Sequence, residues 1–212
     1  MDRFIRPSLN LRYPAMKLPC LALLALVLTA GPAALIAADA TAPAKIASSG
    51  GVSPHETISV HIGGRSGPLV TITYGRPFSK DPKSSAIRKV WGTLVPWDKA
   101  WRLGSDEATL LLTQQSMVIG TTTLPAGAYT LYLVPSENGV SKLAFSSNLG
   151  KWGIPVDEAH DVARVEISKG TVERPVDELT LTLAADPPPA TTGVLKITWE
   201  TTQFSLPFAL KK

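Results

Sequence analysis

Cysteine is nearly absent from this chain: Cys20 stands alone among 212 residues. No intramolecular disulfide framework is possible with a single thiol. Histidine is scarce as well, with His55, His61 and His160 the only three. His55 and His61 fall on the polar positions of a strand-like segment without a third ligand at diagnostic spacing, and His160 lies in an acidic loop, so no metal site is expected. Missing too are a Gly-x-Ser-x-Gly elbow, a phosphate-binding loop and a His-Glu-x-x-His helix. Their absence excludes the easily read hydrolases, nucleotide enzymes and zinc peptidases, and no cofactor is expected.

What the chain does have begins with a leader. Arg3, Arg6, Arg12 and Lys17 precede an apolar run from Leu21 to Leu28 that continues through Gly31 and Pro32 to Ile36. That order is a secretory signal peptide, and Ala38-Asp39-Ala40 supplies the small residues a cleavage site needs. A second possible start at Met16 gives a shorter signal. An uncleaved anchor is the rival reading, because the apolar segment approaches the roughly 20 residues that span a bilayer; Pro32 and the small-residue end favour cleavage. The expected organisation is a leader over residues 1–40, a flexible arm over 41–52 and one β domain over 53–212. The expected destination is the periplasm or the exterior, with no membrane span in the mature chain.

Removing the leader lowers Lys plus Arg from 21 to 17 and Asp plus Glu from 17 to 15, so the net charge falls from +4 to +2. The basic balance belongs largely to the leader. No run of cations with interleaved aromatics remains, which argues against a nucleic-acid partner. Cys20 leaves with the same segment, and its place at the front of the apolar run does not suit a lipid attachment site.

Beyond residue 52 the dominant pattern has period two. Ile58, Val60 and Ile62 alternate with polar residues, as do Val70, Ile72 and Tyr74. Tyr129, Leu131 and Leu133 share a face, and so do Leu179, Leu181 and Leu183. Leu195, Ile197 and Trp199, then Leu206, Phe208 and Leu210, complete the series. Asn138-Gly139 predicts a hairpin with a two-residue turn joining strands over Ala128 to Val134 and Ser141 to Ser146. Helical candidates are short: Lys83 to Val90, Pro96 to Arg102 and Val156 to Asp161. An all-β fold follows, an antiparallel β-sandwich or barrel-like domain with one or two short helices.

Function is concentrated between Trp91 and Thr109, which hold three of the five tryptophans together with Arg102, Asp106 and Glu107. Aromatic faces beside a guanidinium and two carboxylates suit ligand recognition, and they suit a packed corner with an ion pair equally well. Read as a strand, Asp106 and Glu107 point to opposite faces, which separates them as an acid–base pair. Pro77 ends the preceding strand, so Arg76 stands at a sheet end next to this segment. The candidate ligand-binding set is Arg76, Trp91, Trp101, Arg102, Asp106 and Glu107. Arg102 is expected to hold one of the acids, leaving Arg76 for an anionic or hydroxyl-rich ligand.

Several blocks of the chain occur in an order that resembles one bacterial family. They are Tyr74-Gly75-Arg76-Pro77, Val90-Trp91-Gly92-x-Leu94-Val95-Pro96-Trp97, Trp101-Arg102-x-Gly104, Glu107-Ala108-Thr109 and Leu124-Pro125-Ala126-Gly127-x-Tyr129, extended by Lys151-Trp152-Gly153 and Asp161-Val162-x-Arg164-Val165. The family is Domain of Unknown Function twenty-nine eleven, and the resemblance runs from Ser53 to Phe208. It implies an exported, mostly β protein and no mechanism. Three departures stand out: Asp106 where members usually carry Asn, an apparent insertion from Asp81 to Ile87, and Trp97 in place of a common Tyr.

The leading expectation is an exported binding protein for a small molecule, glycan or cell-envelope partner. An envelope hydrolase using Glu107 or Asp106, with Arg102 stabilising charge, is the enzymatic alternative. A scaffold with an internal tryptophan cluster is the third. Nothing in the sequence speaks to oligomeric state.

Overall fold

Alternating Thr and β-branched or aromatic residues fit a pleated surface that is buried on one face, and the chain uses them to build strands. A computed structural model describes residues 53–81 and 83–211. The expected leader over residues 1–40 with its expected cleavage site, Cys20 and the expected arm at 41–52 lie outside the described residues. Nine strands follow in order: β1 His55–His61, β2 Leu69–Gly75, β3 Thr109–Thr113, β4 Met117–Ile119, β5 Thr122–Leu124, β6 Gly127–Val134, β7 Ser141–Ser146, β8 Asp161–Ala185 and β9 Thr192–Leu210. Of the three helical candidates only the last forms, as a three-residue 3-10 turn at Glu158–His160.

All strand pairs are antiparallel, in the order β1-β2-β3-β6-β7-β8-β9-β4-β5. The long strand β8 joins two sheets. Its first residues pair with β7 as far as Ile167, and from Ser168 onward it pairs with β9. The chain past β2 then bridges back to β8 through Phe78 and Glu178, with Leu179 N–H donating to Pro77 O at 2.9 Å. That contact brings the first sheet round onto the second and gives the barrel-like closure.

The core switches phase along β9, and the sequence shows why. Leu195, Ile197 and Trp199 are buried at odd positions, whereas Phe204, Leu206, Phe208 and Leu210 are buried at even ones. A period-two strand changes parity only through an irregularity. Here Glu200 takes φ +52°, and the β8–β9 register shifts between Thr171 and Val176 and again before Thr180.

The hairpin of β6 and β7 forms over the expected residues, from Thr130 opposite Ser146 to Val134 opposite Lys142. Its connection is longer than the two-residue turn expected. Neither Asn138 nor Gly139 has positive φ, so the turn that requires it on both residues is not made. Ser136 Oγ accepts from Gly139 N–H at 3.2 Å instead, and Ser141 Oγ accepts from Ser136 N–H at 2.9 Å.

Four tryptophans form one aromatic cluster over the core. Trp91 stacks on Trp97 with centroids 5.7 Å apart and meets Trp101, Trp199 and Phe204 edge-on, while Trp101 stacks on Trp199 at 5.8 Å. Trp91 and Trp199 are buried at 7% and 1% exposure and donate to Trp199 O and Asp177 O respectively. Trp97 and Trp101 are half-buried. Each such ring pair contributes about 0.5–1.5 kcal/mol beyond the area it covers.

Candidate functional site

The segment that carries the site is an excursion from β3. Trp101 and Leu133 of β6 exchange both backbone hydrogen bonds at 2.8 Å, and Thr109 resumes pairing with Leu131. Seven residues, Arg102 to Ala108, therefore stand opposite one, Tyr132. Two of the seven have left-handed backbone, Leu103 at φ +58° and Asp106 at φ +62°. Left-handed leucine carries a steric cost of roughly 1–2 kcal/mol, so the surroundings must hold it. Leu103 is fully buried, and the Thr109 hydroxyl donates to its carbonyl at 2.8 Å.

Two glycines of the sequence blocks make room for this excursion. Gly75 lies so close to Ser105 O that no Cβ fits between them. Gly153, at φ +81°, lies where a Cβ would press on Ala108 Cβ at 2.9 Å and Arg102 Cβ at 3.0 Å. The Tyr129 block has a local purpose as well, since its hydroxyl donates to Pro125 O at 2.8 Å and fixes the entry to β6.

The geometry distributes the predicted site residues differently from the expectation. Arg76 is occupied: Nη2 lies 2.9 Å from Glu178 and Nε 3.4 Å from Glu56. Arg102 holds neither Asp106 nor Glu107 within 4.0 Å. Its Nε donates to Gly104 O and its Nη1 to Trp152 O, both at 3.2 Å, and the guanidinium lies 5.0 Å over the Trp152 ring. The roles expected for the two arginines are thus exchanged. Burial pulls the Arg102 pKa below the ordinary arginine value, opposed by the more distant Asp106 and Glu107. Trp91 belongs to the core.

His55 is the partner that sequence reasoning missed. Its Nε2 is hydrogen-bonded to Glu107 at 2.9 Å and lies 3.8 Å from Asp106. Both acids face one imidazole because the left-handed turn at Asp106 abolishes the strand alternation that would separate them. Asp106 Oδ2 and Ser105 Oγ are buried atoms without a hydrogen-bond partner. The left-handed backbone suits the residue present, since Asp and Asn tolerate that conformation best after glycine. Among the described residues no three His, Cys, Asp or Glu side chains are grouped to hold a metal ion.

Three cavities meet at Arg102. A cleft of about 280 Å³ lies against Pro77, Phe78, Arg88, Leu94, Trp101, Gly104, Ser105, Ile154 and Trp199. A second, of about 410 Å³, runs past Pro96, Lys99, Trp101, Ile154 and Val156. A third, of about 30 Å³, reaches Tyr132, Asn148, Lys151 and Asp157. The two larger ones share Leu94, Trp101, Arg102 and Ile154, and neither is lined by Asp106 or Glu107. Arg88 went unnoticed in sequence because it follows the turn from Asp81 to Ile87, which is tied by Asp81 and the Lys80–Ile87 bridge.

An antiparallel β domain with clefts gathered on one strand excursion is the class that fold and site define. The chain belongs to the family described as Protein of unknown function (DUF2911), which matches residues 53–208. No curated protein and no solved structure matches it. Among the described residues no helix is long and apolar enough to cross a membrane.

Proposed function

We propose that this is an exported protein that binds a small molecule at the paired clefts beside Trp101 and Arg102. The carrying observation is the excursion: a strained, internally clasped loop sets one half-buried guanidinium at the meeting of three cavities. Loops held this way on a rigid sheet are where proteins build sites. Cleft size supports a small molecule over a macromolecular partner, since recesses of a few hundred cubic ångströms are typical of such sites. Binding is favoured over hydrolysis because neither acid lines the two larger clefts, and Glu107 is hydrogen-bonded to His55.

A thermal-shift screen of wild type and Arg102→Ala against small organic acids, sugars and cell-wall fragments tests the reading. Compounds that raise the wild-type melting temperature should leave the folded variant unmoved. Equal shifts in both proteins refute the site. Export is tested on the mature chain, which should begin after Ala38 or Ala40. A mass that still contains Cys20 refutes cleavage.

A further inference from the structure

The described residues contain three half-buried arginines, Arg76, Arg88 and Arg102. Arg76 has two carboxylates within reach, Glu56 and Glu178. Arg88 and Arg102 have none within 4.0 Å among the described residues, yet both line the same cleft. Each is held by backbone carbonyls: Arg88 by Ser79 O and Phe78 O, Arg102 by Gly104 O and Trp152 O. Those bonds orient the guanidinium planes without neutralising them. Arg88 Nη1 and Arg102 Nη2 retain N–H groups with no acceptor among the described residues.

Beyond the two arginines, Ser53 and Ser105 add polar groups to the first cleft and Lys99 a further cation to the second, and the remaining lining is apolar. Phe78, Leu94, Trp101 and Trp199 contribute to it, and Ile154 stands 63% exposed where the two larger clefts adjoin. Cations set in a largely apolar recess disfavour a cationic occupant and gain little from a neutral one. An anion accepts charge-assisted hydrogen bonds from both arginines, strengthened by the partial loss of solvent.

Building on the small-molecule reading above, we infer that the clefts take an organic anion: an acidic head between Arg88 and Arg102, and an apolar body against Trp101 and Ile154. The head is a carboxylate, sulfonate or phosphate, and the body is an acyl chain or an aromatic ring.

The test uses two fluorescent probes of similar shape, anionic anilinonaphthalene sulfonate and uncharged N-phenylnaphthylamine, titrated into the folded protein. The sulfonate should bind with one-to-one stoichiometry, and the neutral probe about ten-fold or more weaker, the size expected of a hydrogen bond to a charged group. Arg88→Gln and Arg102→Gln should each weaken the sulfonate by about ten-fold or more, and weaken it more than they weaken the neutral probe, and Arg88→Lys should restore most of the loss. Ile154 is exposed, so Ile154→Glu keeps the fold; it should abolish sulfonate binding, and Ile154→Lys should not. Displacement by decanoate but not naphthoate assigns an acyl body, and the reverse assigns an aromatic one. Equal binding of both probes, or Gln variants that hold the sulfonate as tightly as wild type, overturns the anion while the cleft reading survives if Ile154→Glu still weakens the neutral probe. Binding of neither probe overturns both, and so does binding indifferent to every one of these substitutions.

Discussion

Replacing Leu103 separates backbone strain from core packing. Its side chain is fully buried, so Leu103→Ala loses about 2–5 kcal/mol of transfer and cavity energy. Going on to glycine removes a further methyl, about 0.8 kcal/mol, and frees the unfolded chain by about 0.5–1 kcal/mol. At a buried leucine in ordinary strand geometry, such as Leu111 in β3, glycine should therefore be worse than alanine by roughly 1.3–1.8 kcal/mol. At Leu103, φ is +58°, and glycine recovers the roughly 1–2 kcal/mol that a left-handed Cβ costs. The two terms nearly cancel, so Leu103→Gly and Leu103→Ala should agree within about 0.8 kcal/mol. Urea unfolding of the four variants, with slopes compared to confirm two-state behaviour, gives the double difference directly. An equal alanine–glycine gap at both positions refutes the strained excursion, and with it the reason for Arg102 standing where it does.

Asp106→Asn should keep wild-type stability within about 0.5 kcal/mol, because Asn accepts φ +62° at least as readily, whereas Asp106→Ala should lose about 1–2 kcal/mol. Urea midpoints measure this, and a larger loss in the Asn variant makes the 3.8 Å approach to His55 the stabilising contact rather than the backbone. Alkaline titration should report the tyrosines of the β domain. Burial raises the Tyr74, Tyr129 and Tyr132 phenols, with Glu56 and Asp161 adding to the rise at Tyr74 and Tyr132. A folded pKa above the unfolded value of about 10 means that the stabilisation is complete below that pH and lost as pH climbs above it. Tyrosinate absorbance should then appear together with loss of the folded dichroism signal, and tyrosinate preceding unfolding contradicts the burial argument.

Period-two patterning made the strands legible, because every stretch of alternation named from β1 to β9 faces one way onto a core. The site was less legible for specific reasons. Leucine in left-handed backbone runs against its own preference, so no propensity marks the departure from β3 at Leu103. The His55–Glu107 contact joins residues 52 apart and depends on Gly75 standing opposite His55 in the β1–β2 register. Which arginine meets a carboxylate depends on where Phe78 bridges β8, a pairing between positions 100 residues apart. The tryptophans clustered visibly in sequence, but Trp91 was drawn inward by Trp199 and Phe204, which arrive from the other end of the chain. Trp152, at 44% exposure, is the more accessible ring beside Arg102.

Both feet of the excursion, Trp101 and Thr109, are hydrogen-bonded into β6, so the sheet on either side does not depend on how many residues lie between them. The residues around a retained Leu103 can therefore vary from Arg102 to Ala108 without shifting the strand register below. The domain is in this sense a frame with an exchangeable insert. Transplanting a foreign segment that keeps a leucine at position 103 between the two feet should redirect what the clefts hold while the β-domain beneath continues to fold.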